Sequence, residues 1–204
     1  VAWLYDPLVE KLSFGRERKF REKTLQFMKF GNGGNILDIG CGTGSLALLI
    51  AEKMKGKGQV IGIDAAPRMI AIAGKKAGRQ GLPVIFRTGI AEQLDFDDNF
   101  FDQVVNSMFT HHIDTELKKK AFAEMFRVLK PGGFLVTADI DRPTSVFARL
   151  LGWLSRYLLL QPELEDNLRG FLPAFIEEAG FTGLSRHDQV YGLVSFFTSS
   201  KPRG

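Results

Sequence analysis

The segment Ile36-Leu-Asp-Ile-Gly-Cys-Gly-Thr-Gly-Ser45 constrains this chain more than any other. A run suited to a buried strand leads into Gly40, Gly42 and Gly44, and a helical pattern begins at Ser45. Glycines there let the backbone turn sharply and let a ligand approach with no Cβ in the way. Asp64 closes the next strand-like run, Gln59 to Ile63. An acid at the end of that second strand accepts hydrogen bonds from both hydroxyls of a ribose. The unit therefore predicts a nucleoside-containing ligand. The spacing is Gly-x-Gly-x-Gly, not the Gly-x-Gly-x-x-Gly that sets a pyrophosphate on a helix N-terminus. Asp38, two residues before the first glycine, would repel a pyrophosphate and suits a ligand carrying an ammonium group.

The surrounding pattern repeats this strand-then-helix theme. Strands are expected at Asn35–Ile39, Gln59–Ile63, Val84–Arg87, Phe101–Asn106 and Gly133–Ala138. Between them, Ser45–Lys53, Pro67–Gln80 and Leu117–Leu129 read as helices, the last with Ala121, Phe122, Met125 and Val128 at helical spacing. Pro67 suits a first helical turn. Alternation of this kind predicts a parallel, doubly wound α/β sheet. The rhythm breaks after residue 140. Ser145–Leu160 is apolar along one stripe, Gly170–Ala179 is helical and stops at Gly180, and Gly183–Val190 and Leu193–Ser199 return to strands. One domain over 1–204 follows: a helical cap (1–30), a ligand-binding core (31–140), a helical insertion or lid (141–172) and a completion of the sheet (173–204).

Composition removes several classes. Hydrophobic residues make up 45% of 204, enough for a buried core. A net charge of +4 is mild and calls for neither nucleic acid nor an anionic membrane. The basic run Arg16, Arg18, Lys19, Arg21, Lys23 is interleaved with Glu17 and Glu22, as on a solvated helix face. Cys41 is the single cysteine, so an internal disulfide is excluded and a reducing, cytoplasmic setting is expected. It sits between two loop glycines and reads as packing. No apolar stretch is long enough to span a bilayer, and no signal peptide is expected. Three histidines and one cysteine show no metal-ligand spacing, so no metal is expected.

The glycine segment resembles motif I of the class I S-adenosylmethionine-dependent methyltransferases. The resemblance continues through Val60-Ile-Gly-Ile-Asp-Ala-Ala-Pro-Arg-Met69, Gly89-Ile-Ala-Glu-Gln-Leu94, Phe101-Asp-Gln-Val-Val105 and Glu124-Met-Phe-Arg-Val-Leu-Lys-Pro-Gly-Gly133. It covers roughly 30–140 in order, and Phe171 to Pro202 more loosely. It is nearest to the branch that includes ubiquinone and menaquinone biosynthesis methyltransferases. It implies a Rossmann-like, mostly parallel seven-stranded sheet with the helical insertion after the fifth strand, and S-adenosyl-L-methionine as cofactor. By resemblance, Asp38 holds the methionine ammonium, and Gly40, Cys41, Gly42 and Gly44 line the methionine end. Asp64 takes the ribose, and Ala65 and Met69 flank the adenine. Asn106 faces the methionine portion beside the reacting methyl, or else caps the next turn. Tyr5, in a Tyr-Asp pair, closes over the cofactor. One position departs from the family: Gly89-Ile90-Ala91 stands where Gly-Asp-Ala is common, and Ile90 accepts no hydrogen bond. Adenine contacts then fall to Ala91 and to Glu92 or Gln93.

Methyl transfer from a sulfonium is an in-line displacement that needs alignment in a dry pocket. A base is needed only where the acceptor keeps its proton near pH 7. His111 and His112, just after the fourth strand, are the candidates to act as base or to orient the acceptor, and Asp139 either orients the acceptor or caps the insertion. The expected acceptor is small and apolar or aromatic, quinone-, phenol- or lipid-like. The Ser145–Leu160 helix is open to three readings: core packing, a lid, or a membrane-surface helix. A nucleic-acid enzyme is disfavoured, because Asn106-Ser-Met-Phe109 lacks the paired prolines of such enzymes and no dense basic stripe exists. A nicotinamide dehydrogenase is opposed by the glycine spacing and Asp38. A cofactor-binding protein without catalysis stays open.

Overall fold

The computed structural model describes residues 16–31, 33–158, 161–187 and 189–204. The expected helix before residue 16 and the Tyr5 contact lie outside them. Seven strands form one sheet: β1 (Asn35–Ile39), β2 (Gln59–Asp64), β3 (Val84–Thr88), β4 (Phe101–Ser107), β5 (Leu129–Ile140), β6 (Thr182–Arg186) and β7 (Val194–Ser200). Their spatial order is β3-β2-β1-β4-β5-β7-β6. β1 to β5 pair in parallel, and β7 lies antiparallel to both β5 and β6. The order reverses at β1, between β2 and β4. That is the switch point where an open α/β sheet leaves a crevice outside its carboxyl ends.

Seven helices cover the described chain: α1 (Arg16–Gln26), α2 (Ser45–Met54), α3 (Pro67–Gln80), α4 (Thr115–Val128), α5 (Val146–Leu158), α6 (Leu164–Arg169) and α7 (Leu172–Glu178). Their limits follow local chemistry. Pro67 opens α3, and Gly81 at φ 63° closes it. The Asp114 carboxylate accepts from the Leu117 amide at 2.9 Å and caps α4, worth about 1 kcal/mol. Gly44 leads into α2 at φ 77°, where a Cβ would stand 2.5 Å from the Phe86 ring. Only glycine fits that junction of turn, helix and third strand.

Strand alternation sorts the core into two layers. On one face, Leu37, Ile39, Ile61, Ile63 and Val104 meet Ala121, Phe122, Met125 and Val128 of α4 and Leu172, Phe175 and Ile176 of α7. On the other, Ile36, Val60, Val105 and Val136 meet Leu46, Ala47, Ile50 and Met54 of α2, with Leu25 and Met28 from α1 and the turn after it. Each fully buried Leu, Ile, Phe or Met contributes roughly 1.5–3 kcal/mol relative to exposure. This parity puts Asp38 and Asp64 on the α2 face, since each alternates with residues of the α4 layer.

Several boundaries differ from expectation. Gly170, at φ 80°, ends α6 instead of opening a helix, and α7 is a separate short helix starting at Leu172. A left-handed glycine terminates one helix and redirects the chain before the next. β5 begins at Leu129, and its pairing with β4 shifts between Phe101 and Gln103 as the chain passes Pro131-Gly-Gly133. β6 stops at Arg186, and Val190 makes only an isolated bridge to Val194. The segment after β5 is helical as expected. Lys118 of α4, fully buried, donates to the Glu163 carbonyl at 2.6 Å and to Asp166 at 3.1 Å, tying α6 to the α4 layer.

Candidate active site

The crevice at the switch point is built around two carboxylates. Asp38 is 1% exposed. Its carboxylate takes a hydrogen bond from the Ala47 amide, while its Oδ2 has no partner among the described residues. Burial pushes its pKa up to about 8, although Arg21 of α1 pulls the other way. Asp64 is half-buried at the end of β2. Its Oδ2 accepts from the Gly42 amide and its Oδ1 from the Ala66 amide, both at 2.9 Å. A carboxylate has about four acceptor sites, so both oxygens retain capacity for a ligand's hydroxyls. Between the two acids, Gly42 adopts φ 53°, and a Cβ there would meet nothing within 4 Å. The glycine turn is open on its ligand side. Gly40 is different: the Phe109 ring packs over it.

Cys41 turns inward. Its amide donates to the Ile63 carbonyl at 2.9 Å, and burial followed by the nearby Asp38 and Asp64 charges pushes its thiol pKa up. A protonated, buried thiol is no nucleophile. Ala65 is exposed and Met69 half-buried at the mouth beside Asp64. Gly89 donates to the Asp64 carbonyl at 3.1 Å, which brings the turn after β3 alongside. There Ala91 is buried in the core, Glu92 is half-buried and Ile90 is 42% exposed. A clamp holds this turn. Arg127 donates to the Leu94 and Phe96 carbonyls at 2.8 Å, and Glu124 accepts from the Leu94 amide at 2.7 Å. The Arg127 hydrogen bonds hold the Glu124 carboxyl below its ordinary range. The motif Glu124–Gly133 thus acts as scaffold for the ligand loop.

Asn106 departs from its expected place. It pairs with Ile39 across the sheet and shares that residue's α4 face, opposite Asp38. Its side chain is fully buried and donates to Thr137 Oγ1 at 2.9 Å and Met125 Sδ at 3.5 Å. The reason is parity: a residue one position out of step in a strand points through the other face. Asn106 therefore contributes a buried polar link here, not a side chain to the crevice.

His111 and His112 lie in a 3₁₀ turn, Thr110–His112, directly after β4. Asp139, fully buried at the end of β5, organises that turn. Its Oδ2 accepts from the amides of Phe109 and Thr110 at 2.9 and 2.6 Å and from Thr110 Oγ1 at 2.7 Å. Its Oδ1 lies 2.6 Å from His111 Nδ1. Burial alone would raise the Asp139 pKa. The His111 charge and the hydrogen bonds outweigh it and hold the carboxyl below its ordinary value. Asp139 thus orients a histidine; it does not reach the pocket mouth. His112 is exposed, its ring 3.9 Å from that of His111. Partial desolvation and then the His111 charge lower its pKa. Asn167 of α6 braces the turn by donating to Thr110 Oγ1 at 3.2 Å and to the Ile140 carbonyl at 2.9 Å. His187 has other partners: it stacks on Phe27 and contacts Thr198.

Two contributors carry no mark in the sequence. Arg21 acts electrostatically on Asp38 from α1, where its pattern suggested only a solvated face. Asn167 had no motif to mark it.

A strand-glycine-helix crevice with two acids on one face of a seven-stranded sheet is the architecture of an S-adenosylmethionine-dependent methyltransferase. The comparisons agree. A family model described as a methyltransferase domain matches residues 36–133. The chain belongs to the class I S-adenosylmethionine-dependent methyltransferases. It is similar to a ubiquinone/menaquinone biosynthesis C-methyltransferase of Geobacter sulfurreducens, 28% identical over 222 residues, covering 98% of this chain and 85% of the relative. It is also similar to a demethylmenaquinone methyltransferase of Thermus thermophilus, 40% identical over 144 residues, covering 70% of this chain and 64% of the relative. Among solved structures, a protein from Pyrococcus horikoshii shares the fold with a TM-score of 0.71 and 23% identity, covering 91% of this chain and 90% of that one.

Proposed function

We propose that this chain transfers the methyl group of S-adenosylmethionine to a small, apolar aromatic acceptor of the quinol type. The observation that carries the cofactor assignment is the orphaned Oδ2 of buried Asp38. A buried carboxylate oxygen with no donor costs free energy until a cation arrives. The ammonium of S-adenosylmethionine supplies one, and the open side of Gly42 leaves room for its approach. Asp64 receives the ribose hydroxyls, and Ala65, Met69, Ala91 and Glu92 border the adenine. When bound, the cofactor supplies an electrophilic methyl on a sulfonium.

The acceptor assignment rests on the two quinone-pathway relatives and on the histidine turn. With Nδ1 held by Asp139, His111 keeps a fixed ring orientation and leaves Nε2 to receive a proton. The acceptor's electron pair forms the new bond to the methyl carbon, the carbon–sulfur pair stays on sulfur, and the acceptor's proton leaves to His111 or to water. The single thiol, Cys41, suits a reducing cytoplasm.

Calorimetric titration with S-adenosylmethionine and its demethylated product tests the first half. Micromolar affinity that is lost in Asp64→Ala supports the assignment; tighter binding of NADH overturns it. Turnover on naphthoquinols, simple phenols and lipids tests the second half. A preference for phenols or lipids over quinols would replace the acceptor class and leave the cofactor assignment standing.

A further inference from the structure

Five of the eleven large hydrophobic side chains exposed among the described residues lie on one helix, α5. They are Val146, Phe147, Leu150, Leu154 and Tyr157, exposed by 81, 76, 66, 47 and 64%. At 3.6 residues per turn they occupy about 100° of arc, a continuous stripe. The opposite arc holds Ala148 and Gly152, both buried, and a Cβ on Gly152 would stand 2.7 Å from Leu168 of α6. The helix is therefore seated by its small residues and turns its large ones outward. Patches of this kind on a soluble fold mark interaction surfaces.

The charge pattern selects the occupant. Helix α5 carries Arg149 and Arg156 and no acid. Both arginines border the same side of the stripe, and exposed Arg142 precedes the helix. Arg156 pairs with Glu165 and lies over the Trp153 and Tyr157 rings, so it braces the aromatic end. A second copy packed antiparallel on the stripe would set arginines against arginines. An anionic lipid surface neutralises them while taking up the apolar stripe, as an interfacial amphipathic helix requires. Placement agrees. The chain reaches α5 from the carboxyl end of β5, the sheet edge that also carries the glycine turn and His111. No helix of the described residues is long and apolar enough to cross a membrane, so contact through α5 is peripheral.

We propose that α5 docks this protein on an anionic membrane surface, with the stripe immersed and Arg149 among the headgroups. The crevice edge then faces the bilayer, from which an apolar acceptor can enter.

The test is flotation of the full chain, without cofactor or acceptor, with phosphatidylcholine vesicles made with and without about a quarter of phosphatidylglycerol. Omitting both substrates separates this result from success or failure of the methyl-transfer reading. Binding is expected only to the anionic vesicles. Leu150→Glu and Leu154→Glu weaken it by more than about tenfold. Arg149→Ala weakens it by about fivefold, the worth of one basic residue near such a surface, and added salt does likewise. Unfolding temperature and S-adenosylmethionine affinity stay unchanged in these variants, which separates lost docking from lost folding. Absence of flotation overturns the proposal, as does flotation indifferent to Leu150→Glu. A dimer in sedimentation that Leu150→Glu dissociates would reassign the stripe to self-association. Protection of α5 from hydrogen exchange that disappears on deleting residues 1–15 would reassign it to the chain's own N-terminal segment.

Discussion

Asp38 makes cofactor binding a pH-dependent event with a calculable slope. Burial disfavours its charge and pushes its pKa in the free protein up to about 8, and its Oδ2 has no partner among the described residues. An ammonium binds the ionised form. With that pKa, about one molecule in a hundred is ionised at pH 6 and about one in eleven at pH 7, and apparent affinity scales with the competent fraction. Affinity for S-adenosylmethionine should therefore rise about tenfold between pH 6 and pH 7, and binding should release close to one proton. The window is chosen below about pH 7.7, where an α-amino group remains charged. Calorimetry in buffers of different ionisation enthalpy measures both quantities. Asp38→Asn should be weak and flat across the window. Folding stability carries the opposite sign. A carboxyl whose folded pKa lies above its unfolded value binds more protons when folded. The free protein therefore loses stability as pH rises from about 4 to about 8, by up to about 1.4 kcal/mol per unit. Asp38→Asn removes that contribution. A wild-type affinity that is level between pH 6 and pH 7, with no proton released, would refute the reasoning.

Three further outcomes are expected. Gly44→Ala should destabilise by about 2–4 kcal/mol in denaturant titration, since it combines left-handed strain with a Cβ 2.5 Å from Phe86. Gly42→Ala meets no such clash, so it should cost only about 1–2 kcal/mol of stability while lowering cofactor affinity by a larger factor. Asp139→Ala strips Phe109, Thr110 and His111 of their shared acceptor. It should cost about 3–5 kcal/mol and lower turnover by loosening the His111 ring, whereas His112→Ala should leave stability within about 1 kcal/mol of wild type.

The cofactor half of this protein is legible in the chain because its signals are local. Gly40-x-Gly42-x-Gly44 and Asp64 lie within one strand-turn-helix-strand unit, and backbone chemistry alone restricts what such a unit can do. Strand parity could also have placed Asp38 and Asp64 on one face and Asn106 on the other, had the register been applied residue by residue. The histidine turn was half legible. His111 and His112 stood out after β4, but their dependence on Asp139 needs β4 and β5 paired side by side, which brings together residues far apart in the chain. Arg21 and Asn167 carried no mark at all, because their roles come from where α1 and α6 pack. The same holds for the helix after β5: its stripe was plain in Ser145–Leu160, yet core packing, a lid and a membrane-surface helix all fitted it, core packing best. Only the seating of Ala148 and Gly152 against the fold decided that the large side chains face outward. Local sequence determined the glycine turn, its acids and the alternation of elements, since each depends on neighbours a few residues away. Tertiary packing decided which polar groups are buried, which are paired and which surface is left uncovered, because those properties belong to contacts between elements and not to any one of them.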